Sequence, residues 1–240
     1  MKKLLPFLLA AAVFAGHSPL QAAPSAEELL KEHIKALGGA DAFKKITTRQ
    51  MKAEIEIPGA GIKAGMTIMS KAPDKQRTEI DIPDMGKVVE GYDGKVAWSQ
   101  NPFLGIIEKS GGQLKQARQQ ADFYRDVELL TRYTGWTHKG KETIDGQTTD
   151  VLEGKSKEGT TDLLYLDEKT RLLVQIKTEA ETPQGKIPVI SKLSDYRDVD
   201  GLKLPHKIVV EAGPEGFNMT VKEIKHGLAL DDKLFSKPTQ

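Results

Sequence analysis

The sequence predicts a mainly β chain with covering helices, an α+β protein whose single antiparallel sheet is curled into an incomplete barrel. Three observations predict it. Short segments of alternating apolar and polar residues recur from Thr47 to Lys225, which is the period of half-buried strands. Tight polar turns separate most of them, so neighbouring segments pair antiparallel. Amphipathic helices also occur, one of them in the middle of the strand series. A sandwich has little use for such a helix, whereas a curled sheet leaves an apolar concave face for helices to cover.

The chain opens with Lys2 and Lys3, an apolar run from Leu4 to Ala15, and small residues at Ala22 and Ala23. That is the pattern of a secretory signal peptide over residues 1–22, leaving one domain over 23–240. Ser25 and Glu28 have capping-box spacing at the start of the first helix, with Leu29, Leu30, Ile34 and Leu37 as its apolar stripe. Gly38-Gly39 ends it, and Ala40 to Ile46 form a further short turn. His33 is expected at the surface or rim.

Ala53, Ile55 and Ile57 alternate with Lys52, Glu54 and Glu56, and Pro58 to Gly61 turns the chain into Ile62–Ser70. Lys75–Ile82 alternates again. Met85–Tyr92 and Lys95–Ser99 form a hairpin through Asp93-Gly94. Gln113–Leu130 has no glycine or proline and predicts one long helix with Leu114, Ala117, Ala121 and Tyr124 on its buried side. It packs as core, or it closes the mouth of a strand-built cavity. Trp136–Ile144, Thr148–Lys155, Thr161–Asp167, Leu172–Thr178, Gly185–Arg197, Leu202–Val210 and Phe217–Lys225 follow as strands. The turns between them include Asp145-Gly146, Lys157 to Gly159, Asp200-Gly201 and Gly213 to Gly216. Eleven or twelve strands result, with Leu228–Phe235 as a closing segment.

The net charge is +1, or −1 once the segment carrying Lys2 and Lys3 is removed, and both signs are intermixed. Nucleic acid is not an expected partner. The chain has no cysteine, which rules out a disulfide framework, a thiol nucleophile and a lipidated N-terminal cysteine. Export without disulfides fits a bacterial periplasm. A soluble, unanchored monomer is expected there.

No catalytic set emerges. His33, His138, His206 and His226 lack metal-ligand spacing, and there is no nucleophile elbow or phosphate-binding glycine loop. No metal, cofactor or enzymatic activity is expected. Strands such as Leu163–Leu166 and Leu172–Ile176 are apolar on both alternating faces, which means an ordinary core or a pocket for a hydrophobic ligand.

The stretch Asp93-Gly94-Lys95-Val96-Ala97-Trp98-Ser99-Gln100-Asn101-Pro102-Phe103 resembles the LolA family of periplasmic lipoprotein carriers. The order of a secretion signal, N-terminal helix, paired strands, Lys71-Ala72-Pro73, this motif and a helical insert is similar too. Tyr196 to Pro205 and Leu234-Phe235 resemble outer-membrane lipoprotein-sorting proteins, the broader superfamily that also includes the LolB and LppX types. The resemblance implies a half-open barrel of eleven strands with a helical lid, and a ligand that is a lipid or an acylated protein. Transfer to or from a membrane-bound donor or acceptor protein is the corresponding role. The family's lid-locking arginine directly precedes the proline; that place is Ala72 here, with Arg77 as the nearby substitute.

Ile55, Ile57, Met66, Ile68, Trp98, Phe103, Tyr124, Val127, Leu164, Leu166, Val174 and Ile176 are the expected cavity-lining residues. A register slip of one residue would reverse the face of any strand among them. The alternative is an exported, non-catalytic adaptor on the same scaffold with a filled core.

Overall fold

A computed structural model describes residues 23–156, 159–182, 185–213 and 216–239. The expected signal segment 1–22, and parts of the expected turns at 157–158 and 214–215, lie outside the described residues. Helix α1 (Ala26–Ala36) starts as its sequence dictates. The Ser25 hydroxyl accepts from the Glu28 N–H at 3.2 Å, and the Glu28 carboxylate accepts from the Ser25 N–H at 2.8 Å. Beyond its end, Gly38 has φ +117°, and a Cβ there would lie 2.4 Å from the Gly201 carbonyl oxygen. Only glycine lets the helix end seat on that turn, where Lys203 N–H bonds the Leu37 carbonyl at 2.9 Å. The short α2 (Ala40–Lys45) follows.

Six strands come next: β1 (Thr48–Ile57), β2 (Ile62–Lys71), β3 (Lys75–Ile82), β4 (Gly86–Tyr92), β5 (Ala97–Asn101) and β6 (Gly105–Glu108). Then α3 (Gly111–Ala121) and α4 (Leu129–Arg132) precede β7 (Tyr133–Ile144), β8 (Gln147–Ser156), β9 (Thr161–Asp167), β10 (Leu173–Thr182), β11 (Gly185–Val199), β12 (Leu202–Glu211) and β13 (Phe217–His226). All thirteen join one antiparallel sheet in the order β6-β5-β4-β3-β2-β1-β13-β12-β11-β10-β9-β8-β7. The first and last strands pair at its centre, and β6 and β7 are its outermost strands. The sheet is not closed.

Three expectations are corrected. The strand count is thirteen among the described residues. The added β6 arises because the Asn101 side chain accepts the backbone N–H groups of Phe103 and Leu104 at 2.9 and 2.7 Å, turning the chain back on itself. The long helix breaks at Asp122, whose carboxylate takes the Tyr124 N–H while Phe123 N–H bonds the Pro73 carbonyl at 3.0 Å. The Asp93-Gly94 hairpin is longer than two residues, because Asp93 Oδ1 accepts from both Lys95 and Val96 and pairing resumes at Ala97. By contrast, Asp145-Gly146 and Asp200-Gly201 are two-residue turns with every φ positive.

Directly opposed residues share a face, so the register carries one face across the sheet. Through Tyr92, Gln76, Ser70 and Arg49 it runs to His226, and through Met66, Ala53 and Val221 it runs beside them. Ile208, Leu193, Ile176, Leu164 and Leu152 continue it on β12 to β8. The helices pack on this inner face. Leu29, Leu30 and Leu129 bury Leu152, Leu164 and Leu166, while Leu37, Phe43 and Val127 bury Leu202 and Leu204. At the other end α3 sets Ala121 on Tyr92 and Ala97. His33 is buried rather than at the rim, since its Nδ1–H finds the Arg171 carbonyl at 2.8 Å. Arg171 in turn pins α1 to the sheet through Glu32 at 2.8 Å and the buried Asp150 at 2.6 Å.

The outer face has its own strap. Residues 228–235 cross β2 to β5, with Phe235 and Trp98 both fully buried and Trp98 Nε1–H donating to the Phe235 carbonyl at 2.9 Å. Lys71 and Lys75 each reach Asp232 at 2.7 Å and draw its carboxyl down to about 2.

Candidate functional site

The part of the inner face that lies between the two helix-covered regions is made by strands alone. Ala53, Ile55, Ala64, Met219 and Val221 are buried there, and Met51, Ile62, Met66, Ile80, Ile82 and Ile208 surround them half-buried. No helical residue belongs to this cluster. It is an apolar surface with part of its area open to solvent, unlike the sealed leucines beneath α1. The opposite face of the same strands is charged, with ion pairs Lys222–Glu54 at 2.8 Å and Lys52–Glu223 at 3.7 Å.

The expected lining residues divide among several environments. Ile55 and Met66 lie in the strand-only cluster, with Ile57 and Ile68 half-buried on the same face of β1 and β2. Leu164, Leu166 and Ile176 lie under α1. Tyr124 and Val127 sit in the segment between α3 and α4, packed toward Phe43 and Leu202. Val174 is half-buried at the β10 irregularity, where pairing with β9 shifts by one residue. Trp98 is on the outer face under the strap, because the register sets it opposite Gly91 and Arg77 rather than among the inner-face residues. Phe103 is 75% exposed in the β5–β6 turn, next to Leu104 at 69%. Arg77 also faces outward, donating to Glu79 at 2.8 Å and to the Leu234 carbonyl at 3.1 Å, so it anchors the strap and not a helix.

Beneath the segment between α3 and α4 stands Arg49, half-buried as a residue with its Nε and Nη2 atoms shielded from solvent. Its guanidinium carbon stands 5.3 Å from the centre of the Phe123 ring. Burial pushes its pKa down, with Asp126 opposing that and Arg125 adding to it. Opposite it in the ladder is His226, whose Nδ1–H donates to Asp200 at 2.8 Å. Burial lowers the His226 pKa, the Asp200 bond opposes, and the Arg49 charge lowers it further. Arg49 shares sequence parity with Met51, Ala53 and Ile55, a signal that places it inward. The parity of His226 is scrambled by the register shift at Lys52/Ala53, so no sequence pattern reveals it.

Beneath α3 lies a second, polar cavity of about 240 Å³ lined by Glu90, Lys109, Gln113, Gln116, Ala117 and Gln120. Lys109 and Glu90 close their charges on each other at 2.7 Å. Among the described residues no group of acidic, histidine or cysteine side chains has a metal-binding arrangement, and no helix is long and apolar enough to cross a membrane.

No family model matches the chain, and no curated protein matches it in sequence. Solved structures do. A DUF1329 family protein from Desulfovibrio piger superposes with a TM-score of 0.60 at 14% identity, covering 88% of this chain and 96% of that one. A LolA superfamily protein from Nitrosomonas europaea gives 0.58 at 17% identity, covering 90% and 99%. A putative outer membrane lipoprotein-sorting protein domain from Vibrio parahaemolyticus gives 0.57 at 16% identity, covering 88% and 95%. The open sheet with helices on one face, matched nearly end to end at this low identity, is the LolA-like fold, and this chain adopts it.

Proposed function

We propose that the protein is a periplasmic carrier that holds a lipid, or the acyl chains of a lipoprotein, on the inner sheet face. The observation that carries this reading is the apolar cluster on β1, β2, β3, β12 and β13, to which no helix contributes and whose margin is only partly buried. The fold it shares with a lipoprotein-sorting domain supports the same reading. Each methylene buried there contributes about 0.8 kcal/mol, so one or two long chains offset the cost of ordering a ligand. Met51, Met66 and Met219 give the face unbranched, polarisable side chains that adapt to chains of different shape. The protein works by binding and release, as a monomer, exchanging its cargo with a membrane-bound donor or acceptor.

The test is native mass spectrometry of the mature protein purified from a bacterial periplasm, followed by lipid extraction. Stoichiometric lipid or acylated peptide is the expected result. A bare protein that also takes up no fluorescent fatty acid overturns the reading.

One observation favours an adaptor instead. Phe103, Leu104, Met85 and Ile107 are large apolar residues exposed on neighbouring hairpins, where Gly86 approaches Pro102. A lipid-free protein whose tight protein partner is lost on Phe103→Asp would establish that second reading.

A further inference from the structure

Arg49 stands at one end of the apolar face, on the same side of β1 as Met51, Ala53 and Ile55. Its Nε and Nη2 atoms are shielded from solvent and have no hydrogen-bond partner among the described residues. These two nitrogens form the side edge of the guanidinium, where two parallel N–H bonds match the two oxygens of a carboxylate. Its guanidinium carbon lies over the Phe123 ring, and this edge is the part left without a hydrogen-bond partner. The charged neighbours have other partners: Asp126 lies 3.5 Å from the Arg125 Nε, and Asp200 takes the His226 Nδ1–H. His226 Nε2 is shielded and unpartnered as well. With the Nδ1 proton directed at Asp200, Nε2 donates to an anion once it takes up a proton, which the incoming negative charge favours. Shielded guanidinium nitrogens with unmade hydrogen bonds are costly, and an acceptor supplied from outside removes that cost.

The apolar face begins where this polar edge ends. Met51, Ala53 and Ile55 continue along β1, Met66 lies beside them on β2, and Ile224 and Val221 lie beside them on β13. From Arg49 to Ile57 the strand spans about 26 Å, enough to accept a long acyl chain lengthwise.

We propose, building on the carrier reading, that the ligand is a carboxylate-headed amphiphile: Arg49 grips the head side-on with His226 beside it, and the chain lies along Met51, Ala53, Ile55 and Met66. The segment 122–128, which holds Phe123 over Arg49, moves aside to admit it. Admission costs the contacts that hold that segment: Phe123 N–H to the Pro73 carbonyl, the Tyr124 hydroxyl to the Ile46 carbonyl at 3.2 Å, the Asp122–Arg132 ion pair at 3.2 Å and the buried Phe123 and Val127 side chains.

The experiment compares palmitate, hexadecanol and hexadecyl phosphate on the delipidated protein by displacement of a fluorescent fatty acid. Palmitate is expected to bind at least about tenfold tighter than hexadecanol. Arg49→Met should abolish that preference while keeping hexadecanol affinity, which also shows that the variant is folded. Arg49→Lys, which keeps the charge and loses the paired donors, should retain only part of it. Equal binding of palmitate and hexadecanol by the unaltered protein, or an undiminished preference in both variants, overturns the head-group assignment and leaves the carrier reading standing. A clear preference for hexadecyl phosphate over palmitate overturns the carboxylate in favour of phosphate. If none of the three binds, the apolar face is closed core and the carrier reading fails with the inference.

Discussion

Replacing Met66 with alanine separates a binding face from an ordinary core. Met66 is half-buried on β2, directly opposite Ala53 of β1 and Ile80 of β3. The substitution removes three heavy atoms beyond Cβ, about 2 kcal/mol of apolar burial when all of them are covered. In the ligand-free protein at most about a third of that area faces water, so the stability cost is about 1.5 kcal/mol. The remaining third is realised only when a chain lies over it, and its loss weakens binding about threefold. Leu164→Ala is the reference: that side chain is 2% exposed beneath α1, so it should cost about 2–5 kcal/mol and leave the affinity of the folded fraction unchanged. Denaturant unfolding and displacement of a fluorescent fatty acid give the two quantities for each variant. If Met66→Ala destabilises as much as Leu164→Ala and ligand binding is untouched, the strand-only cluster is core and the reasoning is wrong.

Phe235→Ala should cost about 3–5 kcal/mol by emptying the fully buried contact with Trp98, visible as a lower unfolding midpoint, with lipid affinity unchanged because the strap lies on the outer face. Gly91→Ala places a methyl 2.3 Å from the Trp98 ring; a loss of about 1–3 kcal/mol and a shift in tryptophan emission are expected. Burial holds the His33 pKa below its ordinary value, so the folded state disfavours the proton. Stability is therefore full above about pH 6.5 and falls as the pH drops below that toward the depressed folded value, with a limiting slope of about 1.4 kcal/mol per pH unit. His226 adds in the same sense, and His33→Gln should flatten the dependence measured by denaturant titration between pH 7 and 5.

Much of this architecture is written in local patterns. The capping box of Ser25 and Glu28 and the turns at Asp145-Gly146 and Asp200-Gly201 follow from chemistry contained within four residues. What escaped the sequence depends on partners distant in the chain. The helix predicted across Asp122 is broken by a bond to Pro73, almost fifty residues earlier, and helix propensity cannot anticipate that competitor. Trp98 carries the expected motif yet faces outward, because a segment more than a hundred residues later covers it. The candidate site was half legible: Ile55 and Met66 are placed by alternation, and Arg49 has the same parity as its apolar neighbours. His226 meets Arg49 only through the irregular register of β1 and β13.

The most direct measurement is photocrosslinking with a fatty acid that carries a diazirine in its chain, with the labelled peptides mapped by mass spectrometry. Labels on Met51, Met66, Ile80 and Met219 are predicted, since these residues line the face that no helix covers. Labels confined to the exposed Phe103–Leu104 tip or to the outer face, with none on that inner cluster, would contradict the claim that the sheet holds the ligand.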